Sequence, residues 1–211
     1  MSGHDVQVKA IAAMRTVRSL RMNGSFRQGP VRSELKLTMD STGRCTGSLS
    51  TAGKGELQMI RTDKALYLKG DATWYREGGR DGRSQREVDA GVAALAGRWL
   101  KGKLTDPTMS PFAESCDMAQ MLDSFKGSPK AYKGEMGTVD GRSSIVLFSP
   151  EGSKTATWHI ATVGRPYLLK IATVGTNPSE VQFFDFNKPL AIDVPADAID
   201  SDQFNRRYKD V

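Results

Sequence analysis

Leu20, Met22, Gly24 and Phe26 alternate with Arg21, Asn23, Ser25 and Arg27, and beyond Gly29-Pro30 the pattern recurs, with Leu35, Leu37 and Met39 set against Glu34, Lys36 and Thr38. A strict period of two puts every apolar side chain on one side of an extended strand and every polar one on the other. Such strands are half-buried and belong to antiparallel sheets with one wet face. Strand-like runs follow at 45–51, 56–61 and 65–69, and the pattern is read as continuing through 73–76. Turn residues between them fall at the spacing of a meander.

The period changes twice. Val6, Ala10, Ala13, Met14 and Val17 form a helical stripe over 5–17, with Asp5 as N-cap. A helical insert is expected over 87–126. Val88, Val92 and Leu95 make a short helix ended by Gly97, and GRWLKGK (97–103) is a short strand. Ser110-Pro111 opens a second helix, whose buried side is Phe112, Cys116, Ala119 and Leu122 and which stops at Gly127-Ser128-Pro129.

Strands then return over 133–187, at 133–139, 143–149, 155–163, 167–174 and 180–186, divided by DG, PEG, GRP and GTNP turns. Several are apolar on both faces, as in the run Ile145-Val146-Leu147-Phe148. A strand covered on both sides needs a partner for its second side: a sheet curled over a core, a second layer, or a ligand. The residues after 196 are charged and expected on the surface.

At 211 residues the chain suits one domain, and no apolar run approaches the ~20 residues of a membrane span. The opening MSGHDVQVKA shows no signal-peptide pattern, so the sequence fits either an intracellular protein or one that begins after a removed leader. The net charge of +6 favours an anionic partner. The densest basic stretch, REGGRDGRSQRE (76–87), sets four arginines against three acids and nets only +1, and no aromatics interleave with it, which argues against nucleic acid.

No nucleophile, zinc or phosphate-loop motif is present, and the only histidines are His4 and His159. Catalytic residues, a metal site and a cofactor are therefore not expected. Cys45 and Cys116 are 71 residues apart with no second Cys or His motif. They are either two buried thiols in a reducing compartment or one disulfide in an oxidising one, and the disulfide is the expectation.

The apolar phase is rich in adaptable methionine. Its members are Met14 and Leu20, Met22, then Leu35, Leu37 and Met39, then Leu57, Met59, Leu66 and Leu68, and finally Trp158, Ile160, Leu169, Ile171 and Phe183. As residue types they make a core. On the inner face of a long sheet with few helices they also make the lining of a lipid site.

Five stretches in fixed order, LYLKGDATWY (66–75), GRWLKG (97–102), SPFAESCDMAQML (110–122), RPYLLKI (165–171) and FFDFNKPLAIDVPA (183–196), together with the opening helix, resemble the actinobacterial envelope lipoproteins of the LppX/LprG group, themselves similar to the LolA/LolB carriers. The resemblance implies an α+β fold: an open, strongly curved antiparallel half-barrel with a few helices closing its concave face. It implies a cavity for a lipid, lipoglycan or acyl chain, an extracytoplasmic address, and a membrane tether through a lipidated cysteine upstream of these residues. A monomer is expected. Arginines of the 76–86 stretch are candidates for a head group or membrane surface. The alternative is a sealed interaction or sensor module of the same fold.

Overall fold

A computed structural model describes residues 1–78, 82, 84–151 and 154–208. In chain order the elements are α1 (Gly3–Met14), β1 (Ser19–Gln28), β2 (Val31–Asp40), β3 (Cys45–Thr51), β4 (Gly55–Arg61), β5 (Leu66–Gly70), α2 (Ala72–Gly78), α3 (Gln85–Leu95), β6 (Leu100–Gly102), α4 (Ser110–Glu114) and α5 (Met118–Asp123). There follow β7 (Tyr132–Val139), β8 (Arg142–Glu151), β9 (Lys154–Ala161), β10 (Leu168–Val174), β11 (Ser179–Phe184), β12 (Ile199–Asp200) and α6 (Ser201–Tyr208). The fold is α+β, with mostly antiparallel strands in an open sheet, as the alternation requires. Two compact units divide the chain.

The first unit holds 1–32 and 118–189. Its strands run in the order β1-β11-β10-β9-β8-β7, every neighbouring pair antiparallel. Helix α1 starts at a capping box: the Ser2 hydroxyl accepts from the Asp5 amide at 3.1 Å, and the Asp5 carboxylate accepts from the Ser2 amide at 2.6 Å. The cap is therefore Ser2, and Asp5 is its reciprocal partner three residues on. Val6, Gln7, Ala10, Ile11 and Met14 are the buried stripe of α1.

The second unit holds 33–117 and 190–211, in the order β12-β6-β5-β4-β3-β2. Only the β12–β6 pair is parallel. Its other face is covered: Trp99, Ile192 and Ala198 pack on Ile60, Ala65 and Tyr67. The tail past 196 is thus partly structural, with Ile199 donating to the Trp99 carbonyl at 2.8 Å.

Two elements differ from the sequence reading. Residues 73–76 are helical, in α2, because Asp71 caps them: its carboxylate accepts from the Trp74 amide at 2.7 Å. The single helix expected from Ser110 is two short ones. Ser110 makes no side-chain cap, Met109 is the residue before the first turn, and Cys116 lies in the break.

Candidate apolar ligand face

In the second unit, strand register sorts the chosen residues into rows on one face of the sheet. The first row is Met39, Cys45, Arg61, Leu66 and Gly102. The next is Leu37, Gly47, Met59, Leu68 and Leu100, and the third is Leu35, Leu49, Leu57 and Gly70. Leu37, Met39, Leu57, Met59, Leu66 and Leu68 are all buried, and Leu35 is half-buried. Two glycines in these rows, Gly70 and Gly102, mark where covering elements come close. A Cβ on Gly70 would overlap the Trp74 ring, and one on Gly102 would overlap the Met109 thioether.

The cover is made of short pieces. Trp74 of α2 meets Phe112 of α4 edge-on at 6.3 Å. A disulfide joins Cys45 of β3 to Cys116 just past α4, with the Cα atoms 5.7 Å apart. Arg61 Nη1 donates to the Ala113 carbonyl at 2.7 Å, and the Ser115 hydroxyl lies 3.7 Å from the Met59 sulfur.

In the first unit, Leu20, Met22, Trp158, Ile160 and Phe183 are buried, as is Met14 on α1, and Ile171 is half-buried. Met22 pairs with Phe183 and Trp158 with Ile171. Phe125, which the sequence reading passed over, stands edge-on to Trp158 at 6.1 Å and to Phe183 at 5.8 Å. Leu169 is elsewhere. A bulge between Leu168 and Lys170 gives its place opposite Ile160 to Leu168, and Leu169 packs with Val139, Ala161 and Phe186. An inserted residue breaks the period of two, so alternation alone could not place it.

Among the described residues, recesses open elsewhere. One of about 270 Å³ lies among Ser25, Arg27, Arg32, Thr173 and Glu180, and one of about 390 Å³ among Ala94, Arg98, Asp200 and Phe204. Neither is lined by the apolar residues chosen from the sequence.

His4 Nδ1 meets the Ser128 carbonyl oxygen at 3.1 Å. His159 lies 3.3 Å from the Ser144 hydroxyl, and burial together with the positive charge of Lys170 lowers its pKa. Ser144 is fully buried, so this pair does not present a nucleophile. Among the described residues no group of His, Cys, Asp and Glu could hold a metal ion, and no helix is long and apolar enough to cross a membrane. Part of the 76–86 basic stretch (79–81 and 83) lies outside the described residues.

No family model and no curated protein matches the sequence. Solved structures do. The lipoprotein LppX of Mycobacterium tuberculosis is 12% identical, with 90% of this chain and 98% of that one covered and a TM-score of 0.57. LprF from Mycobacterium bovis is 11% identical, over 92% of this chain and 97% of that one, with a TM-score of 0.59. The chain shares the fold of these mycobacterial proteins.

Proposed function

We propose that this protein is a non-enzymatic, extracytoplasmic carrier that binds a lipid, lipoglycan or other acyl-chain amphiphile on the apolar face of its sheet. One observation carries the reading. Rows of Leu and Met are covered in the second unit by α2, α4 and their flanks, helices of seven and five residues. Helices this short are not stable alone and persist only through their contacts. They are covers that can lift. Burying a dozen methylenes in their place supplies roughly 10 kcal/mol before ordering costs. The fold shared with the lipoprotein LppX supports the same reading. So does the Cys45–Cys116 disulfide, which fits an oxidising compartment. A monomer tethered to the membrane by a lipidated cysteine completes the proposal.

Organic extraction of the purified protein followed by mass spectrometry is expected to release acyl lipid, and a fluorescent fatty-acyl probe is expected to bind at micromolar concentration or below. Protein that is lipid-free and takes up no acyl probe overturns the carrier. The second reading, a sealed interaction module with its apolar face filled by the protein's own side chains, predicts this negative result.

A further inference from the structure

Arg61 is the one charged residue in the rows of Leu, Met, Cys and Gly just described. Its cross-strand neighbours, Cys45 and Leu66, are fully buried. Arg61 itself is half-buried, and a cation drawn partly out of water gains from a counter-charge. Among the described residues no carboxylate pairs with it. Its Nη1 is spoken for by the Ala113 carbonyl at 2.7 Å, which fixes the plane of the guanidinium. On the opposite edge one donor is orphaned. Nε is shut off from solvent with no acceptor, and Nη2 has none among the described residues. Gly43, at φ +83°, stands against the guanidinium, where a Cβ would come within 3.2 Å of Nη2 and 3.3 Å of Cζ.

We propose that the Nε/Nη2 edge of Arg61 receives the carboxylate or phosphate head group of an acyl ligand whose hydrocarbon lies along Met59 and Leu57; this rests on the amphiphile reading above. Two parallel N–H groups match the two oxygens of a carboxylate or phosphate, and the pairing is both charge-assisted and oriented. An anion there satisfies the orphaned donor and neutralises the charge. Met59 and Leu57 follow on the same face of β4 at successive steps of roughly 7 Å. This face of β4 is therefore charged at one end and greasy along its length, the polarity of a single-headed amphiphile.

The test compares a fluorescent hexadecanoic acid with its methyl ester on the oxidised wild-type protein at about pH 8, where the acid is ionised. The acid is expected to bind about tenfold tighter or more, the effect of a charged hydrogen-bonded pair. Arg61→Met is expected to bring the ratio near one, and Arg61→Lys, which keeps the charge and loses the fork, to recover only part of it. Equal binding of acid and ester by the wild type overturns the head-group assignment and leaves the carrier standing. Binding of neither probe overturns the carrier and this proposal with it. Inorganic phosphate separates a head group from a free anion: phosphate binding as tightly as the acyl acid overturns the assignment. The acid–ester comparison needs no variant, so a substitution that fails to fold does not rescue the proposal.

Discussion

At the turn between β2 and β3, one Asp40 carboxylate accepts five hydrogen bonds, from the amide and hydroxyl of Thr42 and from the amide, Nε and Nη2 of Arg44, at 2.6–3.2 Å. This residue builds the loop that sets Gly43 against the Arg61 guanidinium. Burial pushes the Asp40 pKa up, but the Thr42 and Arg44 bonds outweigh it and hold the carboxyl below its ordinary 3.8. A group with a depressed folded pKa stabilises fully above its unfolded pKa, and that stability is lost as pH falls through the folded value. Asp40→Asn is therefore expected to cost about 1–3 kcal/mol at neutral pH. The gap between variant and wild type is expected to narrow below about pH 4. Urea unfolding at both pH values measures it, and a gap of constant size would show that the charge of the carboxylate is not what holds the turn.

Among elements, α4 depends most on what lies outside it. Five residues make too few internal hydrogen bonds to hold a helix, so the disulfide, the Arg61–Ala113 bond and the Trp74–Phe112 contact decide its place. Closing a loop over 71 residues restricts the unfolded chain by about 4 kcal/mol in the entropy model. Reduction by a dithiol, or paired Cys45→Ala and Cys116→Ala substitution, is expected to lower stability by about that much, with amide exchange rising first over residues 109–117. A loss of stability with no preferential exchange there would separate the disulfide from the cover. The same element marks where sequence reading stops. Strands were legible because a period of two is strictly local: 45–51 as read is β3. Residues 73–76 were misread because Asp71 acts as a cap there, and their aromatic residues also suit a strand. Leu169 was misplaced by one inserted residue in β10. Arg61 shares the phase of Leu57 and Met59 in the run Glu56 to Arg61, but only the register with the buried Cys45 and Leu66 shows that this end of the strand lies in an apolar row. Phe125 sits in a loop with no period to expose it, and its role follows from contacts with strands distant in sequence.

For the molecule as a whole, the proposed carrier would engage a membrane amphiphile through two forces of different range. The net charge of +6 draws the protein toward an anionic surface from a distance. That attraction decays over about 10 Å at 0.1 M salt and is nearly gone at a few tenths molar. The apolar face acts only on contact, by removing hydrocarbon from water, and added salt does not weaken it. The two steps should therefore separate by ionic strength. Co-sedimentation with phosphatidylglycerol vesicles is expected to fall several-fold between low and about 0.5 M salt. Binding of the neutral acyl ester is expected to hold or tighten over the same range. A carrier that docks by charge and loads by hydrophobic contact shows both trends at once. If vesicle binding ignores salt, the surface charge has no part in delivery; if ester binding falls in step with it, the probe is sitting on the charged exterior and the apolar rows are not its site.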